Sequence, residues 1–288
     1  MPELPEVETI RRGLAPRVEG HILSRLIARR PDLRIPFPEN FASRVEGRRV
    51  ISVDRRAKYL LWHLDDDTVL VIHLGMSGRL SIIDPCRQEP PHSGEDIARV
   101  GAGRHDHVVF YLDDGTVVVF TDPRRFGLMT LVEFSGLSEH SLFRDLGPEP
   151  LANNFDSIAL SAAIRGRRTP IKAALLDQKV VAGLGNIYVC EALYRAGISP
   201  RRSAATVAGK RAERLVPHIR DVLTEAIAAG GSTLKDYAQA DGELGYFQRD
   251  HAVYGREGEP CPDCTCESGV RRIVQSNRST FYCPVRQR

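Results

Sequence analysis

The sequence lacks any long uninterrupted apolar stretch, and its first residues do not combine a basic segment with an apolar run. Helices that cross a membrane need roughly 20 consecutive apolar residues, and secretory leaders need that pairing of basic and apolar segments. We therefore expect a cytoplasmic protein without a membrane partner. The chain also has little excess of charge of one sign, because 40 basic and 37 acidic residues leave a net charge of only +3.

Cysteine is nearly absent until the end of the chain. Only Cys86 and Cys190 precede residue 261, whereas four of the six cysteines fall within the last 28 residues. In a cytoplasmic protein this clustering favours a metal site over disulfides. We interpret the two isolated cysteines as ordinary buried thiols.

Short β-rich runs fill roughly the first 135 residues. Two of them flank an Asp-Gly pair at 114–115, which predicts a β-hairpin. Repeated short strands at this spacing are typical of a sandwich or a barrel. Ahead of them, residues 6–20 predict a helix with Val7, Ile10 and Leu14 on one face.

From about residue 140 the pattern becomes helical. The stretch "IKAALLDQKVVAG" predicts a helix that continues to a turn at Gly183 and Gly185, where a second helix begins. A third helix is predicted to stop at the glycine pair 230–231. Its apolar residues at helical spacing are Leu215, Ile219, Val222, Leu223 and Ile227. We interpret 232–260 as a long loop, and the tail from 261 as too short to fold without a metal.

Basic residues gather in three places despite the small net charge. They are "RGRRTPIK" at 165–172, "DPRRF" at 122–126, and the last 28 residues, where five arginines accompany two acids. Any one of these clusters alone is typical of a solvated surface. Three together favour a polyanionic partner.

The chain opens "MPELPE", which places two carboxylates beside a proline. If Met1 is removed, Pro2 becomes a secondary amine that can attack the C1′ carbon of a sugar and form an iminium ion. That ion cannot lose a proton from nitrogen, so its charge acidifies the neighbouring C2′ hydrogen. Glu3 can exchange protons with the opening sugar ring, and Glu6 can steer the amine or shape the start of the helix. The alternative is an acidic first helical turn without chemistry.

These first residues begin a longer resemblance. "PELPEVETIRRGL" resembles the N-terminal signature of the formamidopyrimidine-DNA glycosylase family, and further motifs of that family follow in order along essentially the whole chain. They are "RRAKYLL" (55–61), "HLGMSG" (73–78), "HDHVVF" (105–110), "TDPRRFG" (121–127), "LGPEPL" (146–151), "TPIKAALLDQKVVAGLGNIYVCEALYRAGI" (169–198), "LKDYAQADGELGYF" (234–247), "VYGREGEPC" (253–261) and "RSTFYCP" (278–284).

The resemblance implies an α+β protein in four parts. These are an N-terminal catalytic β-sandwich domain at 1–138, a helix-two-turn-helix DNA-binding domain at 139–231, a lesion-capping loop and linker at 232–258, and a zinc-finger hairpin at 259–288. We expect a monomer that binds damaged double-stranded DNA, in a bacterial cytoplasm and associated with the nucleoid.

The implied activity is that of a bifunctional DNA glycosylase and abasic-site lyase of base-excision repair. It would excise oxidised purines, 8-oxoguanine and formamidopyrimidines, through an N-terminal proline iminium ion and then cut the strand by β,δ-elimination. Two alternatives remain open. One is an oxidised-pyrimidine glycosylase of the endonuclease VIII class, and the other is a non-catalytic DNA-binding homologue.

The resemblance also assigns roles to residues of this chain. The family's nucleophile falls on Pro2, its acid–base partner on Glu3 and its β-elimination lysine on Lys58. The second elimination is linked to an arginine that matches Arg278, for which we favour phosphate clamping because arginine hardly gives up protons at neutral pH.

DNA contacts follow from the same resemblance. The residues at the family's DNA-binding positions are His105, Arg124, Arg167 and Asn186, the last of them as a phosphate contact. Met76, Arg124 and Phe126 resemble the wedge that fills the gap left by a flipped-out nucleotide, where an apolar or planar side chain offsets lost stacking.

The expected zinc site departs from the family pattern. The last knuckle of the family is Cys-x-x-Cys, but here Cys283 is followed by Arg286. Sixteen residues separate Cys266 from Cys283, as in the family, so Cys266 is expected to be a ligand together with Cys261 or Cys264. Either all four cysteines hold one structural zinc, although a Cys-x-Cys pair is tight, or three thiolates and water bind it weakly or the finger is metal-free.

Overall fold

The computed structural model describes residues 2–83, 103–232 and 245–288. The chain forms two compact units, Met1–Phe143 with Gly230–Gly245, and Arg144–Ala229 with Tyr246–Arg288. The expected four-part division of the chain stays a prediction. Within the described ranges, no helix has both the length and the apolar character that crossing a bilayer requires.

Within the part of the chain that the structure describes, the first unit forms two four-stranded antiparallel sheets. Its strands are β1 (Leu23–Ala28), β2 (Val50–Arg56), β3 (Tyr59–Leu64), β4 (Thr68–His73), β5 (Arg79–Ile83), β6 (Asp106–Leu112), β7 (Val117–Thr121) and β8 (Leu128–Glu133). One sheet has the order β1-β6-β7-β5 and the other β2-β3-β4-β8. The predicted hairpin at 114–115 is confirmed, because it joins the paired strands β6 and β7.

Alternating side chains of the two sheets meet in one core. On β6, Val108 and Phe110 point into this core, whereas Val109 lies in a separate apolar cluster. The rings of Trp62 on β3 and Phe110 on β6 are 5.1 Å apart, so the sheets pack face to face. Period-two alternation of this kind is what a sandwich requires, and the predicted sandwich is confirmed.

Among the described residues of this unit, the helices α1 (Leu4–Val18) and the short α2 (Phe41–Val45) accompany the sheets. The predicted apolar face of α1 is confirmed, since Val7, Ile10 and Leu14 are all fully buried in the sandwich core. Burial of this face fixes α1, and therefore the start of the chain, against the first unit.

The second unit is helical and ends in a two-stranded hairpin. Its elements are α3 (Ser157–Ile164), α4 (Ile171–Leu176), α5 (Asn186–Arg195), α6 (Lys210–Ala228), β9 (Arg271–Gln275) and β10 (Arg278–Tyr282), and short 3-10 turns lie at Phe134–Gly136 in the first unit and at Ala204–Val207 and Phe247–Arg249 in the second. Helix α6 buries the predicted apolar residues and is followed by Gly230 and Gly231, both with positive φ. Its predicted stop is therefore confirmed.

The predicted extent of the helix over 171–183 was wrong, because α4 ends at Leu176. The Asp177 carboxylate accepts the N–H of Lys179 at 3.0 Å. The Gln178 amide donates to the carbonyls of Leu176 and Leu184 and accepts the N–H of Gly183. These side chains satisfy backbone groups that a continuing helix would have used, so the chain turns instead.

The C-terminal tail shares a core with α5. Val270 and Cys283 pack in one apolar cluster with Cys190, Tyr194 and Val253. Cys190 is thus a buried thiol, as expected, and Cys86 lies outside the described residues. Together with the sandwich and the helices, the terminal hairpin confirms the predicted α+β fold.

Candidate catalytic and nucleic-acid-binding site

The N-terminal residues are held in a buried and ordered start of α1. Pro2 is buried, and Glu3 and Glu6 are each 2% exposed. Glu3 is the N-cap, and its carboxylate and that of Glu6 each accept the backbone N–H of the other residue, with 2.8 Å from the Glu3 nitrogen to Glu6 Oε2. The second oxygen of Glu6 accepts the N–H of Ser232 at 2.9 Å. Glu6 therefore fixes the helix start.

Lys58 lies in the two-residue turn between β2 and β3, next to an unusual backbone conformation. Ala57 has a φ of +53°, which costs energy for a residue with a Cβ. Arg55 donates to the Ala57 carbonyl at 2.8 Å and pairs with Glu8 of α1 at 3.2 Å. The Arg–Glu pair thereby ties the turn that carries Lys58, itself 8% exposed, to the helix that carries Glu3.

His73 at the end of β4 lies close enough to Lys58 to feel its charge. Burial, followed by the positive charges of Lys58 and Arg34, lowers the pKa of His73 to about 4. Its Nδ1 accepts the N–H of Gly75 at 2.9 Å, which requires that nitrogen to be unprotonated. The site therefore contains a neutral imidazole beside a cation at neutral pH.

One fully buried carboxylate joins two loops of the first unit. Asp122 accepts the Ser77 hydroxyl at 2.7 Å and the N–H of Gly127 at 2.7 Å, and it also accepts the N–H of Arg124 at 3.3 Å. The Asp122 N–H donates to the carbonyl of His105. These bonds bring the loops at 74–78 and 122–127, and the residue His105, to one place.

Two exposed apolar side chains lie on these joined loops. Met76 is 37% exposed and Phe126 is 45% exposed, and the Arg124 guanidinium lies 5.0 Å from the centre of the Phe126 ring. Gly75 has a φ of +63°, and a Cβ there would collide with the backbone of Phe126. The close approach of the two loops depends on that glycine. Exposed apolar residues held this rigidly are suited to contact a partner.

In the second unit, two side chains attach the helices to the terminal hairpin. Asn186, the first residue of α5, donates to the carbonyl of Ser279 at 3.0 Å and to the Tyr254 hydroxyl at 3.3 Å. Lys172 of α4 is fully buried and donates to the same carbonyl at 2.9 Å and to Thr280 Oγ1 at 2.6 Å. The predicted phosphate contact of Asn186 stays a prediction, and the amide also supports the hairpin.

Arg278 is exposed at the first position of β10. It follows the turn residues Ser276 and Asn277, which both have positive φ, as a two-residue hairpin turn of type I′ requires. Arg167 lies elsewhere in this unit and pairs with Asp177 at 2.8 Å. Because the Arg167 side chain is 38% exposed, it can still reach an anion.

A buried carboxylate also shapes the segment before the tail. Glu191 of α5 is fully buried and accepts the N–H groups of Ala252, Val253 and Tyr254 at 2.8–3.1 Å. Three donors on one carboxylate satisfy a charge that would otherwise be costly to bury. This network positions Tyr254, whose hydroxyl contacts Asn186.

The four cysteines of the tail lie together. The sulfur atoms of Cys261, Cys264, Cys266 and Cys283 are all within 4.8 Å of one another. The Cys264 thiol, which donates to Cys266 at 3.0 Å, lowers the pKa of Cys266 to about 7. Thiolates in such a group are the donors that zinc prefers, so the cluster fits a metal ion.

The structure thus arranges the expected residues in separate groups. In the first unit, Pro2, Glu3 and Glu6 share the start of α1. Met76, His105, Arg124 and Phe126 lie on the segments that Asp122 joins. In the second unit, Asn186 and Arg278 lie near Ser279, and Arg167 lies apart. Of the expected lesion-capping loop, residues 233–244 lie outside the described residues.

Several residues of these groups were not singled out from the sequence. Asp122 and His73 stand inside the quoted motifs "TDPRRFG" and "HLGMSG", so the motifs contained them without showing their partners. Glu191 is an acidic residue in the otherwise largely apolar "NIYVCEAL", and that contrast is a signal for a buried, satisfied charge.

Comparisons with known proteins cover the whole chain. A family model described as the formamidopyrimidine-DNA glycosylase N-terminal domain matches residues 1–129, and one described as the formamidopyrimidine-DNA glycosylase H2TH domain matches residues 146–238. The chain is 58% identical to the formamidopyrimidine-DNA glycosylases of Rhodospirillum centenum and of Azorhizobium caulinodans, with 100% of both chains covered in each case.

Solved structures of formamidopyrimidine-DNA glycosylases are similar to this chain over almost its full length. The crystal structure of the MutM (Fpg) protein from Thermus thermophilus is 41% identical with a TM-score of 0.85, covering 99% of this chain and 98% of that one. A complex of a Lactococcus lactis Fpg mutant with DNA containing Fapy-dG is 32% identical, and a complex of Lactococcus lactis Fpg with DNA containing an abasic site is 31% identical. Both have TM-scores of 0.86 and cover 99% of each chain.

Proposed function

The chain belongs to the formamidopyrimidine-DNA glycosylase family, DNA glycosylases of base-excision repair, and from this premise we propose that it is a bifunctional glycosylase and abasic-site lyase. Its substrates are oxidised purines, 8-oxoguanine and formamidopyrimidines, in damaged duplex DNA. The observation that carries the proposal is the buried start of α1, where Pro2 directly precedes Glu3 and Glu6 fixes the backbone between them.

The reaction follows from a secondary amine next to a carboxylate. The Pro2 nitrogen bonds to C1′ of the damaged nucleotide as the bond from C1′ to the base breaks, and the base leaves with the electron pair. Glu3 takes the proton from the nitrogen and gives it to the ring oxygen O4′ as the sugar opens, which leaves a C1′–nitrogen iminium ion. Its positive charge acidifies C2′, and loss of that proton expels the 3′ phosphate. A second elimination expels the 5′ phosphate.

The cationic residues assist by holding phosphates. Lys58 promotes the first elimination, because a nearby cation stabilises the departing phosphate. Arg278, exposed at the start of β10, clamps a phosphate in the second elimination. Arg124, Met76 and Phe126 fill the space of the flipped-out nucleotide, which must leave the stack before its C1′ can be reached. His105, Arg167 and Asn186 contact the DNA.

Similar proteins support damaged duplex DNA as the partner. The two Lactococcus lactis structures are complexes with DNA that contains Fapy-dG or an abasic site, and each aligns with 99% of this chain. We infer that this chain binds such DNA as a monomer.

We also infer one structural zinc in the cysteine cluster. Its ligands are the thiolates of Cys261, Cys264, Cys266 and Cys283, whose mutual distances suit one ion. When bound, zinc cross-links the segment before β9 to the segment after β10. Its role is to hold the hairpin that presents Arg278.

Borohydride trapping tests the proposed nucleophile. Reduction during reaction with an 8-oxoguanine duplex should link wild-type protein covalently to the DNA, because the reductant fixes the iminium ion as an amine. Pro2→Gly should cut more slowly yet still bind the duplex, since phosphate contacts dominate affinity. Intact mass must first show that Met1 has been removed from each protein.

Pro16→Ala, a proline change at the far end of α1, is the control and should leave trapping unchanged. If wild-type protein binds lesion DNA but is never trapped, the chain is a non-catalytic homologue. Faster cutting of a thymine glycol duplex than of an 8-oxoguanine duplex would point instead to the oxidised-pyrimidine class.

A further inference from the structure

Arg286 stands where the family pattern has its last cysteine, and its side chain contacts Asp263 and Tyr194. Its guanidinium pairs with Asp263 at 3.2 Å and lies 4.9 Å from the centre of the Tyr194 ring. Its Nε donates to the Tyr194 carbonyl at 3.3 Å. Three contacts of different kinds fix one orientation of this arginine, which is more than a solvated surface arginine makes.

Cys264 supplies the fourth sulfur of the cluster. Its sulfur is 3.0 Å from that of Cys266 and 3.6 Å from that of Cys283. Four sulfurs at about 2.3 Å from one tetrahedral zinc lie about 3.8 Å apart. The Cys264–Cys283 distance is close to this spacing, and the Cys264–Cys266 distance is shorter by about 0.8 Å. The Cys-x-Cys pair therefore brings both thiolates to the same place, and a slight separation of the two sulfurs fits one ion, while the intervening Thr265 is exposed.

We propose that Cys264 is a zinc ligand that replaces the cysteine lost at position 286, and that Arg286 has become a positioning residue for the same site. The proposal rests on the structural zinc inferred above. Arg286 acts on the ligands through Tyr194, whose hydroxyl lies 3.2 Å from Cys261 Sγ. The backbone N–H of Arg286 donates to Cys283 Sγ at 3.4 Å, and this contact does not depend on the arginine side chain.

This assignment explains both departures of the tail from the family pattern with one exchange. A Cys-to-Arg change alone would leave three thiolates and bury part of a cation beside the ligands. The extra cysteine restores the fourth thiolate, and Asp263 together with the Tyr194 ring accommodates the guanidinium charge. The ligand has moved along the chain, while the site keeps four sulfurs.

Four full-length proteins test the exchange: wild type, Cys264→Ser, Arg286→Cys and the double variant. Zinc per chain is measured by elemental analysis, and zinc affinity by competition with a coloured chelator. We expect one zinc per chain in the wild type and a zinc affinity weaker by about tenfold or more in Cys264→Ser. Changing a residue that only supports a metal ligand already lowers metal affinity by about tenfold or more, and here a proposed ligand itself is removed. The double variant should regain the zinc, since Arg286→Cys restores the Cys-x-x-Cys of the family's last knuckle and brings the number of available thiolates back to four.

Thermal unfolding measures the second half of the proposal. Arg286→Cys should keep one zinc per chain yet unfold at a lower temperature than wild type, because the brace on Tyr194 is gone. Arg286→Ala, which adds no thiol, should behave in the same way. Thr265→Ser, an exposed change between the two cysteines, is the control and should match the wild type.

The outcomes separate this proposal from the zinc proposal beneath it. If the wild-type protein is purified without zinc and does not bind added zinc, the cysteine cluster is not a zinc site and both proposals fail. Wild-type zinc affinity in Cys264→Ser overturns only the ligand exchange. A wild-type unfolding temperature in both Arg286 variants overturns the positioning role.

Discussion

At the scale of single residues, His73 is neutral in a place where an ordinary histidine would begin to take up protons. Its folded pKa of about 4 lies below the usual 6.5 because of burial and of the charges on Lys58 and Arg34. Between those two pH values the unfolded chain binds a proton that the folded protein does not. Proton uptake by the unfolded chain therefore lowers the free energy of unfolding as the pH falls from 6.5 towards 4. Above pH 6.5 the neutral His73 has no such cost.

We expect His73→Gln to flatten this part of the pH dependence. The glutamine oxygen can still accept an N–H, but it takes up no proton in this range. Thermal unfolding from about pH 4.5 to about pH 7 should show a smaller loss on acidification than in wild type. His140→Gln is the matched control, because His140 Nδ1 likewise accepts an N–H two residues ahead, that of Leu142. Identical slopes for wild type and His73→Gln would contradict the expectation.

Motifs located many of these residues, but they did not show what each one contacts. The start "MPELPE" indicates an amine beside a carboxylate because the two are adjacent in the chain. The partners of buried polar groups are distant, since Ser77 lies 45 residues from Asp122 and Ser279 lies 107 residues from Lys172. No local pattern specifies such pairs, which form only when the sheets and helices have packed.

At the scale of elements, the two loops that hold Met76 and Phe126 depend on one buried carboxylate. Asp122→Asn replaces one acceptor oxygen by an NH₂ group that faces existing donors, the Ser77 hydroxyl or the Gly127 N–H. Hydrogen bonds to charged groups are worth about 1.5–3 kcal/mol each, so we expect a loss of about 3 kcal/mol in the free energy of unfolding, measured by urea denaturation. We also expect weaker binding to a duplex with an abasic analogue.

Asp65→Asn is the control for this change, because Asp65 is an exposed carboxylate in the turn between β3 and β4 of the same unit. It should leave both stability and binding close to wild type. If Asp122→Asn unfolds like wild type, the two loops are held together by apolar packing and not by the carboxylate.

Elements with strong local signals could be predicted from the sequence. The face of α1 with Val7 and Ile10 follows helical spacing, and the Asp-Gly pair at 114–115 marks a hairpin. The end of α4 could not be predicted in this way, because residues 171–183 have no glycine or proline before Gly183. The helix stops where the Gln178 side chain captures backbone groups on both sides of the turn, a three-dimensional effect with no sequence signature.

At the scale of the whole molecule, the change of pattern near residue 140 agrees with the boundary at Phe143 between the two units. That Gly230–Gly245 belongs to the first unit was not predictable from the sequence. The hydrogen bond that holds it there joins Ser232 to Glu6, which are 226 residues apart. A segment that follows α6 thus supports Glu6, the carboxylate that fixes the start of α1 beside the proposed nucleophile. The candidate site is assembled from both ends of a long stretch of chain.

The charge of the whole molecule also matters, since a net charge of +3 hides arginines that are concentrated on segments proposed to meet DNA. Binding to a lesion duplex should weaken linearly on a log–log plot against salt, because each phosphate contact releases counterions. Arg278→Ala should make that slope shallower by about 0.9, the value for one phosphate contact. Arg278→Lys should keep the wild-type slope, because any cation at that place displaces the same counterion.

Fluorescence anisotropy with one labelled duplex at several salt concentrations gives these slopes. Arg256→Ala is the control, because Arg256 pairs with Glu259 at 2.6 Å and is not among the residues proposed to contact DNA. If Arg278→Ala shows the same salt slope as the wild type, Arg278 does not contact a phosphate. If Arg278→Lys binds and follows the wild-type slope but fails in the second elimination, the guanidinium has a role in the chemistry beyond its charge, since lysine supplies the cation without the planar fork of donors.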